Sequence, residues 1–166
     1  MRQRLGIAFA SAALLVVAFQ GTIYADSPHF ISASDSVNSS GALVASFKEA
    51  GLGTTVSTET ITLTASGTAT YACINGGGNH PKASNKETVS GPVSGTGSFP
   101  VRNGQTTGSL TAGPPGPGSF SCPSGQSLVL AFVSYTNVVL TGLAGDTAPL
   151  PNVSACLFDH GLGLCP

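Results

Sequence analysis

Beyond residue 26 the chain is patterned mostly in twos. In "TVSTETITLTASGTATYACI", Ile61 and Leu63 share a face opposite Thr60, Thr62 and Thr64. Strands produce this alternation because successive side chains leave on opposite sides. The residues are largely β-branched or aromatic, as a pleated, half-buried surface favours. The alternation breaks at "ASG" and resumes at "TATYACI", which predicts a strand, a tight turn and a second strand. Upstream, "HFISASDSV" sets Phe30, Ser32, Ser34 and Ser36 against Ile31, Ala33, Asp35 and Val37, the pattern of an edge strand. "LVASFK" places Leu43, Ala45 and Phe47 on one face, as a strand or the start of a short helix that Gly51 and Gly53 would stop.

Downstream, "ETVSGPVSGTGSFPV" spaces its apolar residues with Gly and Pro and is expected to be extended but irregular, a bulged or edge strand. Asn103-Gly104 is the strongest hairpin signal, because both residues tolerate the positive φ of a type I′ turn. "AGPPGPGSFSCPSGQ" is a stiff connection. "SLVLAFVSYTNVVLTGL" reads as a central strand, buried on both faces at its start, its valines arguing against a helix. Little regular structure is expected beyond Gly145. Seven or eight short strands separated by turns predict an all-β, two-sheet β-sandwich with Greek-key links. It is immunoglobulin-like in general shape only: Tyr71-Ala72-Cys73 matches the Y-x-C of an F strand, but no cysteine precedes Cys73 and the chain has no Trp.

The N-terminal segment changes the compartment. Arg2 and Arg4 precede a 15-residue apolar run and a small residue at Ala25, the layout of a cleaved signal helix over residues 1–25. The expected organisation is a signal peptide (1–25), a β-sandwich domain (26–145) and an irregular, disulfide-closed tail (146–166). Residues 26–166 carry four basic side chains (Lys48, Lys82, Lys86, Arg102) and seven acidic ones, a formal charge of −3. Such a surface cannot supply the row of phosphate contacts that nucleic acid needs, nor a polybasic patch for anionic lipid. Neither nucleic acid nor, after cleavage, a membrane is an expected partner. Ser and Thr make up 36 of these 141 residues, a composition shared by exported β domains and disordered stalks; the recurring Ile, Val, Leu and Phe clusters favour a folded core.

Four cysteines in an exported chain imply two disulfides, for which three pairings are open. Cys73–Cys122 with Cys156–Cys165 is the expected set, because the second pair closes a small loop in a Gly-rich tail that would otherwise fray. No C-x-x-C pair or H-x-x-x-H spacing is present, so no metal and no cofactor are expected.

The sequence lacks a G-x-S-x-G elbow, S-x-x-K, H-E-x-x-H and a Walker loop. His29, His80 and His160 all fall in predicted loop or terminal positions. Asp35, Glu49, Glu59, Glu87, Asp146 and Asp159 could supply a carboxylate pair for glycoside hydrolysis, but spacing singles out none. Tyr71 and Tyr135 fall in strands and read as core residues rather than a sugar platform. The loop "YACINGGGNHPKASNK" concentrates Asn75, Asn79, His80, Lys82, Asn85 and Lys86 beside Gly76–Gly78, a candidate binding surface if it is more than a turn. Asn38 and Asn152 begin N-glycosylation sequons.

"YACINGGGNHPKASNKETVSGPVS" and "PPGPGSFSCPSGQSLVLAFVSYTNV" together resemble a group of small exported proteins, mainly actinobacterial with some fungal examples. These share C-x-N-x-G-G-N-x-P-x-x-x-N-K and a later S-F-x-C-P-x-G-Q. The match runs from about Tyr71 to Val138. It implies a secreted domain with joined cysteines and transfers no activity; Cys156 and Cys165 lie outside it. The expected function is therefore surface recognition or a structural role in the extracellular space, without catalysis, toward a cell-wall or extracellular glycan or a protein. The alternative is a secreted hydrolase or carbohydrate-binding module using the 74–86 loop.

Overall fold

The computed structural model describes residues 27–76, 85–159, 161 and 163–166. The expected signal segment, Asn79, His80, Lys82 and His160 lie outside the described residues. Among the described residues eight strands follow one another: β1 (His29–Val37), β2 (Leu43–Ala50), β3 (Thr58–Ile74), β4 (Lys86–Pro100), β5 (Gln105–Ala112), β6 (Ser127–Thr141), β7 (Thr147–Leu150) and β8 (Val153–Cys156). One sheet has the order β1-β2-β5, and the other β4-β3-β6 with β7 and β8 both on the far side of β6; every pairing is antiparallel.

Two sheets face each other, so each strand commits one phase to the core. On β2 the inward phase is Leu43, Ala45 and Phe47, and on β3 it is Ile61, Leu63, Ala65, Ala69 and Tyr71; these join Val133, Tyr135, Val138 and Leu140 of β6 in one buried cluster. Phe47 meets the edges of Phe30 and Phe99 at centroid distances of 6.0 and 4.9 Å. The Tyr135 hydroxyl donates to the Gly41 carbonyl at 2.6 Å, tying β6 to the β1–β2 turn of the opposite sheet. Burial pushes that phenol up to about 12.

At residues 102–105 the chain turns as expected: Asn103 (φ 52°) and Gly104 (φ 69°) sit in a two-residue turn closed by reciprocal bonds between Arg102 and Gln105. The strands it joins then part into different sheets. β4 and β5 nonetheless run close along that edge of the sandwich, because glycines at 95, 97 and 108 leave room for Thr111, Leu110 and Phe99. With β6 returning beside β3, the spatial order β6-β3-β4-β5 is a Greek key.

Five expectations are corrected. "ASG" is not a turn; β3 runs unbroken for 17 residues and Gly67 pairs with both Gly91 and Tyr135. The glycine serves a close approach, since a Cβ there would lie 2.9 Å from Cδ of Pro115. β4 is an edge strand but a regular one, in register with β3 from Pro100 to Lys86; Pro92 is accommodated because an edge leaves alternate N–H groups outside the ladder. β6 is not doubly buried at its start, where Leu128 is 41% exposed. Its phase instead switches at Asn137 (φ 52°), an extra residue opposite β3 that moves the buried set from Val133 and Tyr135 to Val138 and Leu140. A register shift between Phe30 and Ser32 turns Ile31 outward, away from the Ala33 phase, leaving it 50% exposed. Finally, the stretch beyond Gly145 carries β7 and β8, both paired to β6.

Candidate functional site

Three regions bring chemistry-bearing side chains together. The first is the described part of the loop singled out above. Cys73 is bonded to Cys122, and Cys156 to Cys165. Asn85 donates from Nδ2 to Oε1 of Gln126 at 3.4 Å, so the returning end of the loop touches the 113–126 connection that Cys122 anchors. Asn75 is exposed, and Asn85 and Lys86 are half-buried. Beside them, Glu87, Val89, Pro117, Phe120 and Ser121 line an open groove of about 570 Å³. The Tyr71 hydroxyl donates to the Pro115 carbonyl at 2.8 Å, packing the connection onto β3. Both Tyr71 and Tyr135 are thus core residues with satisfied hydroxyls.

The second region is the outer face of β3 and β4. The outward phase of β3 is Thr60, Thr62, Thr64, Ser66, Thr68 and Thr70, and β4 sets Ser98, Thr96, Ser94, Pro92, Ser90 and Thr88 directly opposite. Four of the cross-strand pairs are in hydroxyl contact: Thr60 with Ser98 (3.3 Å), Thr62 with Thr96 (3.2 Å), Thr68 with Ser90 (2.9 Å) and Thr70 with Thr88 (3.2 Å). Same-face residues recur every 6.5–7 Å or so along a strand, and neighbouring strands lie about 4.8 Å apart. The result is an uncharged, two-rank grid of hydroxyls broken only at Pro92.

The third region lies between the sheets at one end of the core, where Glu49, Glu59 and Asp146 converge. Glu49 is wholly buried and Glu59 is 3% exposed. Their strands place them there: Glu49 follows Leu43, Ala45 and Phe47 in the inward phase of β2, and Glu59 precedes Ile61 and Leu63 in that of β3. Glu59 Oε1 accepts the Leu143 N–H at 2.6 Å. Neither carboxylate oxygen of Glu49 or of Asp146 meets a donor while both groups are ionised. Burial, then the charges of Asp146 and Glu59, and a hydrogen bond to Asp146 push the Glu49 carboxyl up to about 8. Burial and the neighbouring acidic groups thus favour the protonated form of Glu49, whose hydroxyl would donate to Asp146. Above it, Pro28, Leu52, Val56, Leu143 and Ala144 line a partly open cavity of about 400 Å³ with Glu59 in its wall. Among the described residues no group of three or more His, Cys, Asp or Glu is arranged to hold a metal ion.

The spacing of the carboxylates in sequence did not reveal this trio, although a carboxylate in the apolar phase of a strand was a readable sign for Glu49 and Glu59. The other acidic candidates lie apart: Glu87 is at the open groove, and Asp159 Oδ1 accepts the Leu164 N–H at 2.6 Å within the tail. His29 is exposed, its Nδ1 2.7 Å from the Ser27 carbonyl. Asn38 is exposed, and its Oδ1 accepts from Ser40 N, Ser40 Oγ and Ala42 N, bracing the β1–β2 turn; Asn152 is exposed between β7 and β8. Comparison with known proteins returns no matching family model, no matching curated protein and no matching solved structure.

Proposed function

We propose that this disulfide-stabilised β domain is an exported recognition module, and that the hydroxyl grid of β3 and β4 adsorbs it to a neutral, regularly repeating polysaccharide surface. The observation that carries this reading is the set of four cross-strand hydroxyl contacts. Side chains held in pairs lose little further freedom on binding, and a regularly spaced, uncharged rank suits a repeating neutral polymer rather than a small charged ligand. Each hydroxyl contributes little alone, on the order of 1 kcal/mol net, so affinity rests on several contacts made at once. The signal-like N-terminus and the paired cysteines support the extracellular setting.

The test is depletion of the oxidised protein from solution by insoluble cellulose and chitin, against soluble monosaccharides as competitors. Adsorption that monosaccharides fail to compete, and that falls at least tenfold in Thr62→Glu/Thr68→Glu, is the expected result. Equal adsorption of that variant, or none to any neutral polymer, refutes the reading.

A second reading is favoured by the groove between β4 and the 117–121 segment, where Phe120 and Val89 offer apolar surface beside Glu87. There Asn85, at the returning end of the loop, and the Cys122 connection form one recognition edge. Loss of binding in Phe120→Ala, with the hydroxyl variant unaffected, would select it.

A further inference from the structure

The buried trio is not used by either reading of the recognition surface. Its geometry is unusual for an inert core: a wholly buried Glu49, with both oxygens lacking a donor, faces Asp146, a half-buried residue whose two carboxylate oxygens are also buried without a donor. Uncompensated charge at such a site costs far more than a domain can tolerate, so a proton or a cation must be supplied. Among the described residues no basic side chain is set against it. Within its own sheet Glu49 is flanked by Phe30 on β1 and Thr106 on β5, and the Thr106 hydroxyl is committed to the Pro100 carbonyl at 3.1 Å. The charged groups acting on it across the core are Asp146 and Glu59, both acidic. Lys48 and Arg102 line a separate pocket with Thr107.

Asp146 also belongs to a turn closed by its own hydrogen bonds. Gly142 N–H donates to the Asp146 carbonyl at 2.9 Å and Gly145 N–H to the Gly142 carbonyl at 3.0 Å. A Cβ on Gly142 would overlap the Asp146 carboxylate, so the side chain is folded back against its own turn. The same turn carries Leu143, 75% exposed at the rim of the 400 Å³ cavity, with its N–H on Glu59.

We propose that Glu49 and Asp146 share one proton, and that this proton latches the 142–146 turn over the cavity. While it is held, the turn stays docked at the mouth of the cavity and Leu143 N–H bonds Glu59. When it leaves to solvent, three carboxylates repel one another in a medium that screens them poorly. The turn then lifts, widening the mouth of the cavity and exposing the apolar wall at Leu52 to a ligand. The device is an alkaline-opening gate, independent of the hydroxyl face.

The experiment is an NMR titration of the oxidised protein from pH 5.5 to 10, following the Glu49 side-chain carboxyl carbon and the Leu143 amide together. Both are expected to move with one midpoint near pH 8, the docked fraction falling about tenfold per pH unit beyond it. Glu49→Gln keeps a donor for Asp146 at every pH, and its Leu143 amide should be constant across the range. Asp146→Asn removes the repelling charge and supplies a donor to ionised Glu49, so it should move the Glu49 midpoint down by more than one pH unit. A Leu143 amide indifferent to Glu49 titration overturns the proposal, as does an unchanged transition in Glu49→Gln or an unmoved midpoint in Asp146→Asn. A midpoint displaced by calcium or by chelator also overturns it, by showing that a cation holds the site.

Discussion

Gly95→Ala tests whether the two sheets close on each other along the β4–β5 edge. A Cβ at Gly95 would come closer than 3.0 Å to the backbone carbonyl oxygen of Thr111, a separation that real Cβ atoms essentially never show. The obstacle cannot rotate away, because Thr111 is paired to Val44 within its own sheet. Relief requires β4 to move off β5, which would loosen the contact of Phe99 with Phe47. Overpacking of this kind costs about 1–3 kcal/mol, and a backbone obstacle places the expected loss near 3 kcal/mol. Gly91→Ala is the matched control: it lies in the same strand and phase, and a Cβ there meets nothing within 4 Å. Alanine at that open position should stabilise by roughly 0.5–1 kcal/mol through its lower unfolded-state entropy. Equilibrium unfolding in urea, with disulfides intact, should show the two midpoints displaced in opposite directions at similar slopes. The Gly95→Ala loss corresponds to a melting temperature lower by roughly 6–12 °C for a domain of this size. If the two variants fall within about 0.5 kcal/mol of each other, the edge is not closed as described.

Tyr135→Phe should destabilise by about 1–2 kcal/mol in the same assay, because the ring is retained while the Gly41 carbonyl loses its donor; no change would mean the inter-sheet tie is idle. Replacing Cys73 and Cys122 together by Ser opens a bridge spanning 49 positions, with an expected loss of roughly 4 kcal/mol on the chain-entropy model, and hydrogen exchange should rise in the 113–126 connection before the β3 core; uniform exchange would contradict the anchoring role. Stability should also fall as pH rises from about 4.5 to about 8. Over that interval the folded chain keeps the Glu49 proton that the unfolded chain releases. The slope is at most about 1.4 kcal/mol per pH unit, and stability levels off above it. Urea midpoints at pH 4.5, 6 and 8 that coincide in wild type, or that slope equally in Glu49→Gln, would rule this out.

The candidate sites were legible in unequal measure. The outward Thr and Ser phase of β3 was visible as alternation, but its meaning depended on β4 presenting the matching phase in unbroken register. For the 74–86 loop, the disulfide to Cys122 was expected from counting cysteines, whereas the Asn85–Gln126 contact joins residues 41 positions apart that no local pattern links. The acidic trio was readable in halves. Glu49 and Glu59 each interrupt an apolar phase, while Asp146 stands in a turn with nothing to mark it.

Period two is a local property of the backbone, so the chain by itself determined where most strands run, which side chains of β2 and β3 face inward, and that Asn103-Gly104 turns. The same locality explains where the alternation misleads. "ASG" looks like a turn because glycine is permissive, yet Gly67 is small for Pro115, which approaches from 48 residues away. The phase switch of β6 at Asn137 and the outward rotation of Ile31 come from bulges, which exist only against a partner strand. The pairing of β7 and β8 with β6, and the meeting of residues 49, 59 and 146, were decided by the tertiary structure alone. Burial and charge repulsion act between groups brought together by packing, and no spacing along the chain encodes that distance.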